Sequence, residues 1–120
     1  MITVLVADDH PVVRDALTRL LEAADDITVV AAAGTGQQAV EAALEHSPDV
    51  VLMDVEMPDM NGIAAAQALQ EAESPAHVVM LTTFSDRERI FAALDAGALG
   101  YLLKDADPDE IVRGVRAAAR

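Results

Sequence analysis

Two hydrophobic rhythms alternate along the chain. Residues 2–7, 27–33, 50–53, 77–81 and 99–103 are short apolar runs of strand length, several of them rich in β-branched residues, while the stretches between them place apolar residues at helical spacing. Val13, Leu17, Leu20 and Leu21 share one face of a helix that begins with Pro11 in its first turn and runs to about Ala24. Asp25-Asp26 is a turn, and Thr35 with Gln38 three residues later predicts a capping box for a helix ending near His46. An Ala-rich helix is expected over 63–72, stopped before Ser74-Pro75. Ser85 with Glu88 repeats the capping signature for a helix reaching Gly97, a C-terminal cap. Asp107, Pro108 and Glu110 open a last helix with Ile111, Val112 and Val115 inward and Arg113, Arg116 and Arg120 free. Strand and helix alternating five times with short connections predict an α/β fold. It is expected to be a flavodoxin-like (βα)5 doubly wound parallel sheet, strand order 2-1-3-4-5, forming a single domain over 1–120.

That order gives the polar residues at the strand ends a meaning. Val50, Val51, Leu52 and Met53 run apolar without alternation, as in a strand covered on both faces, and Asp54 follows at its carboxyl end. Met57-Pro58 and Asn61-Gly62 then break the chain into a loop. Ligands of open parallel sheets bind at this edge. Asp8 and Asp9 end the first strand, Thr82 and Thr83 the fourth, and Lys104 the fifth. Any one of them reads equally well as an ordinary polar terminator; their recurrence at successive strand ends is what points to a site. Three crowded carboxylates repel one another unless a cation is shared, and without thiolates or clustered imidazoles the hard ion Mg²⁺ is the natural guest. A carboxylate beside such an ion and a lysine can attack phosphorus, with Thr82 offering a neutral hydrogen bond to the transferred oxygens.

Composition narrows the class. The 120 residues contain no cysteine, so a disulfide framework and a thiolate metal site are both excluded. A net charge of -13 repels nucleic acid, so this segment is not expected to bind DNA by itself. The N-terminus reaches Asp8-Asp9 without a basic lead, and no apolar run approaches membrane-spanning length; a soluble, cytoplasmic protein without a membrane partner is expected.

These residues resemble a known family. Asp8-Asp9 after the first strand, Met53-Asp54-Val-Glu-Met-Pro58 with Gly62, Leu81-Thr82, and Gly97-Ala-Leu-Gly-Tyr-Leu-Leu-Lys104 are similar to the motifs of bacterial response regulator receiver (CheY-like) domains, across the whole chain. The resemblance implies that Asp54 is the phosphoacceptor for a sensor histidine kinase. It also implies that Asp9, Asp54 and the backbone carbonyl of Glu56 hold Mg²⁺, with Asp8 acting indirectly. Lys104, Thr82 and Thr83 match phosphate-binding positions, and Thr82 with Tyr101 match a switch pair. Glu56 and Phe84, two residues beyond Asp54 and Thr82, flank the expected path of the water that hydrolyses the phosphoryl group and are expected to tune dephosphorylation. Asp8-Asp9-His10-Pro11 and Leu103-Lys104-Asp105 look more like the NarL/FixJ/LuxR-type subfamily. Such receivers usually precede a helix-turn-helix DNA-binding domain, so the segment is expected to serve a transcription regulator, and a homodimer on phosphorylation is expected. Many receivers have proline after the lysine, in a cis peptide; this chain has Asp105, and that geometry does not carry over.

Other readings are weaker. Gly34, Gly36 and Ala39 fit a dinucleotide fingerprint in a Rossmann-like domain, with Asp54 about 20 residues on. The fingerprint normally follows a first strand, however, and turn glycines beside the Thr35–Gln38 cap explain the same residues. An aspartate-nucleophile phosphatase would need an acid where His10 stands. His10, His46 and His77 are scattered over a loop, a helix end and a strand start, and read as surface or capping residues. The reading that accounts for the most residues is a phosphoryl-accepting switch rather than a turnover enzyme.

Overall fold

A computed structural model describes residues 1–83 and 89–120. Five parallel strands, β1 (Ile2–Ala7), β2 (Ile27–Ala33), β3 (Val50–Asp54), β4 (His77–Thr82) and β5 (Gly100–Leu103), form one sheet in the order β2-β1-β3-β4-β5. The connecting helices are α1 (Pro11–Glu22), α2 (Gly36–His46), α3 (Gly62–Glu71), α4 (Ile90–Asp95) and α5 (Pro108–Ala118). The flavodoxin-like order expected from the alternation is the one found, and element ends move by one or two residues. The proposed cap at Ser85 and Glu88 lies outside the described residues.

The unbroken apolar runs are explained by burial on both faces. Leu5, Val51, Met53 and Met80 point to one side, where they meet Ala39, Ala43, Ala65 and Leu69 of α2 and α3. Val4, Val6, Leu52 and Leu81 point to the other, against Leu17 and Leu21 of α1 and Ile111 and Val115 of α5. Val112, expected inward with Ile111 and Val115, is only partly buried. Alanines on α2 and α3 let these helices sit close to the sheet and to each other. At α2 the approach is closer still, because a Cβ at Gly36 would overlap the backbone carbonyl of Met60. The glycine of the supposed dinucleotide fingerprint is therefore required by helix-to-loop packing.

Helix ends largely follow their sequence signals. Thr35 accepts a hydrogen bond from the Gln38 amide, 3.1 Å, but the Gln38 side chain returns to the Gly34 amide, 3.0 Å, rather than to that of Thr35. Asn61 caps α3 by accepting from the Ala64 amide. At α4, Gly97 with φ +107° takes the left-handed position, while its amide and that of Ala98 donate back to Leu94 and Ala93 in a Schellman motif. Asp107 makes no side-chain cap at α5, where Pro108 suffices. His77 hydrogen-bonds through Nδ1 to the Ala118 carbonyl, fastening the end of α5 to the start of β4. Arg116, expected to be free, instead forms a two-pronged bond to Asp26 in the turn before β2, 2.9 and 2.8 Å. Arg113 and Arg120 are exposed. Among the described residues no helix is long and apolar enough to cross a membrane.

Candidate functional site

The site forms where β1 and β3 lie side by side, at the carboxyl ends of the strands. Asp9, His10, Asp54, Glu56, Met57, Pro58, Thr83 and Lys104 line one cleft there. Asp54 is the last residue of β3 and 2% exposed; Asp8, one residue past β1, is fully buried. Two close backbone approaches fix the position of Asp54. The Val55 amide donates to Leu81 of β4, 3.1 Å, and a Cβ at Gly62 would overlap the Asp54 carbonyl, so the chain can turn into α3 only through glycine.

The two Asp54 carboxylate oxygens have different partners. Oδ1 accepts from the Glu56 amide, 3.1 Å, and Oδ2 from Lys104 Nζ, 2.7 Å. Lys104 Nζ also stands 3.3 Å from Asp8 Oδ2. That second approach is an ion pair without hydrogen-bond geometry, since Asp8 Oδ2 and Asp9 Oδ1 are buried oxygens with no hydrogen-bond partner among the described residues. Burial pushes the Asp54 carboxyl above the usual carboxylate range; the Lys104 ammonium and Glu56 amide pull it back without cancelling the effect, and the nearby Asp8 adds to the rise. For Lys104, burial opposes the charge, but the bond to Asp54 and the fields of Asp54 and Asp8 outweigh it, raising the value above that of an ordinary lysine.

The orphan oxygens test whether a divalent cation fits. Asp8, Asp9, His10 and Asp54 each place a ligand atom within 4.8 Å of the others. A buried carboxylate oxygen without a donor is costly unless a cation satisfies it, and the donors suit an oxygen-seeking ion. The residues present therefore fit Mg²⁺.

The remaining candidates fall into two groups. Thr83 and Glu56 reach the cleft, and the Glu56 carboxylate is ion-paired with Arg89 just before α4. Thr82 is fully buried and its hydroxyl donates to the Thr83 carbonyl, 3.1 Å. Tyr101 on β5, paired with Met80 of β4, is 49% exposed and does not line the cleft. Phe84 lies outside the described residues. The peptide after Lys104 is trans, since the described residues contain no cis bond.

Two neighbours were not expected from the sequence. His10 Nδ1 lies 3.1 Å from Asp9 Oδ1 and 3.3 Å from Asp8 Oδ1, and Arg14 Nη1 donates to the Asp8 carbonyl, 2.8 Å. Adjacency to Asp8-Asp9 was the available signal for His10. For Arg14 it was a position one helical turn after His10.

Known proteins share this arrangement. The response regulator receiver domain family matches residues 4–116. The transcriptional regulatory protein LiaR of Bacillus subtilis is 42% identical over 100% of this chain and 57% of its own length. The nitrate/nitrite response regulator protein NarL of Escherichia coli is 38% identical over 98% of this chain and 54% of its own. A crystal structure of a LuxR-family two-component response regulator from Aurantimonas superimposes with TM-score 0.91 at 32% identity, covering 98% of this chain and 84% of that one. The chain spans about half the length of the curated relatives it matches. With the strand order, the acidic strand ends and Lys104 all in place, the chain belongs to the response regulator receiver domain family and is of the NarL/LuxR type.

Proposed function

We propose that the domain is a phosphoryl-accepting switch in which Asp54 receives a phosphoryl group from a sensor histidine kinase. The observation that carries this reading is a buried carboxylate held 2.7 Å from an ammonium, beside two carboxylate oxygens without hydrogen-bond partners. An Asp54 oxygen attacks phosphorus and forms an acyl phosphate. The phosphorus–nitrogen bond of phosphohistidine breaks, and its electron pair returns to the imidazole nitrogen. Asp9, Asp54 and the Glu56 backbone carbonyl would hold Mg²⁺, with Asp8 acting from beside it. The bound ion supplies positive charge to the phosphoryl oxygens. Lys104 and Thr83 meet those oxygens from the cleft wall.

Signalling then depends on differential contacts. The Thr82 hydroxyl, spent on the Thr83 carbonyl, gains a better acceptor once a phosphoryl group is present, and Tyr101 can turn from its half-exposed position into the space Thr82 vacates. A conformation that binds the phosphoryl oxygens better gains population. Glu56, together with Phe84, tunes how water reaches the acyl phosphate. The relatives are transcriptional regulators about twice as long as this chain. The output we propose is therefore homodimerisation and control of a DNA-binding domain carried elsewhere in a longer cytoplasmic protein. With its net charge of -13, this segment makes no nucleic acid contact of its own.

Incubation with a small phosphodonor and Mg²⁺, followed by intact-mass spectrometry, tests the reading. The wild-type chain should gain one acid-labile phosphoryl group and Asp54→Asn none. Equal labelling of the two proteins overturns the assignment.

A further inference from the structure

We infer that Arg89 reads the phosphoryl group: its guanidinium, held in this structure by Glu56, passes to the phosphoryl oxygens on Asp54 and carries the start of α4 with it. This rests on the reading of Asp54 as the phosphoacceptor, and it adds a route to the surface that does not pass through Thr82 and Tyr101. Arg89 and Glu56 stand 33 positions apart in the chain, yet they form an ion pair between the β3–α3 connection and the start of α4. Glu56 also lines the cleft, and its amide donates to Asp54 Oδ1, 3.1 Å. A single residue therefore separates the guanidinium from the carboxylate that is to be phosphorylated.

Electrostatics give this pair two states. A phosphoryl group brings a charge of about −1.5 to −2 and three strong acceptor oxygens. The Glu56 carboxylate is then repelled, while the guanidinium gains an acceptor that it can grip with two parallel N–H bonds. Leaving Glu56 costs little, because that side chain is 64% exposed and an ion pair open to water is weak. The other cations at the cleft are committed: Lys104 bonds Asp54 at 2.7 Å, and Arg14 donates to the Asp8 carbonyl, 2.8 Å. Arg89 immediately precedes Ile90, which is buried with Ala93 under α4, whereas Phe91 and Leu94 are exposed. Drawing Arg89 toward the cleft turns the first turn of α4, and with it the apolar face that Phe91 and Leu94 present. Because the phosphoryl group binds this arrangement better, it raises its population. The competing description is a surface ion pair that merely ties the β3–α3 connection to α4; losing either partner then acts in the same direction.

Beryllofluoride, a phosphoryl mimic that does not hydrolyse, separates the two descriptions when bound in the presence of Mg²⁺ and followed by nuclear magnetic resonance. The Arg89 Nε–H signal, assigned by its loss in Arg89→Lys, should move in Glu56→Gln while the mimic is absent. With the mimic bound it should take a new position, the same in wild type and in Glu56→Gln. Arg89→Ala should weaken beryllofluoride binding about fivefold, Arg89→Lys should recover part of that loss, and Glu56→Gln should strengthen binding. The shift of the Leu94 methyl signals on binding should shrink in Arg89→Ala. An Arg89 signal that still follows Glu56 with the mimic bound, or weaker binding in both Arg89→Ala and Glu56→Gln, overturns the role of Arg89 alone. Wild type that binds no beryllofluoride overturns the phosphoacceptor reading as well.

Discussion

Lys104→Met, measured alone and in an Asp54→Asn background, tests the electrostatics of the cleft most directly. Lys104 Nζ lies 2.7 Å from one carboxylate and 3.3 Å from another, with its side chain 22% exposed. Removing one partner of a fully buried pair costs about 3–5 kcal/mol. Water reaching the lysine reduces this, so a loss of about 1–3 kcal/mol is expected for the single change. With Asn at position 54 the ammonium neutralises only Asp8, and the same substitution should cost under about 1 kcal/mol, a coupling of about 1–2 kcal/mol. The Asp54 carboxyl sits above its ordinary value of 3.8, so the fold favours the protonated form. That contribution is fully present below 3.8 and is lost as pH rises through the raised value. Ionised Asp54 therefore destabilises the fold at neutral pH, and Asp54→Asn should raise stability there, with the gain shrinking in acid. Lys104, raised above 10.5, contributes fully below that value and loses its contribution only in alkali, so its cost should stay level through neutrality. Urea unfolding followed by far-ultraviolet circular dichroism suits a chain with no tryptophan and one half-exposed tyrosine. Each kcal/mol should move Tm by roughly 3–5 °C for a domain of this size. An unchanged Lys104→Met cost in the Asp54→Asn background, or a less stable Asp54→Asn protein at neutral pH, refutes the reasoning.

Other perturbations probe separate parts of the fold. Asp9→Ala should weaken Mg²⁺ binding more than Asp8→Ala, whose effect on a neighbouring ligand is expected to be about 10–100-fold; calorimetry finding the reverse order would exchange their roles. Gly36→Ala should cost about 1–3 kcal/mol in urea unfolding because its methyl has no room beside the Met60 carbonyl, and a variant as stable as wild type would contradict the packing explanation. Arg113→Glu should weaken self-association of the phosphorylated protein in sedimentation while leaving Asp54 labelling intact, whereas an unchanged dimer affinity would move the interface away from exposed Arg113.

The path from chain to fold was legible because it rests on periodicity. Unbroken apolar runs at 50–53 and 77–81 demand cover on both faces, and α1 and α5 on one side with α2 and α3 on the other supply it. The carboxylates and Lys104 were legible for the same reason: once strand order is known, residues that end successive strands must share an edge, whatever their separation in sequence. By itself the sequence therefore determined the fold, the gathering of Asp9, Asp54 and Lys104 at one edge of the sheet, and the capping of α2 by Thr35.

Tertiary structure decided what depends on side-chain direction and on contacts between distant elements. Arg116 looked as free as Arg113 on a helical wheel, yet the turn before β2 brings Asp26 within 2.8 Å of it. Tyr101 and Leu102 are neighbours in β5, but alternation puts them on opposite faces of the sheet, so that Leu102 joins the core beside α5 while Tyr101 stays half exposed. His10 read as an ordinary loop residue, because nothing in its spacing says that a turn closed by its own amide will lay the imidazole against Asp8 and Asp9. Periodicity fixes which face of an element is covered; the meeting of particular atoms is set by crossing geometry and loop closure, which leave no repeating mark in a sequence.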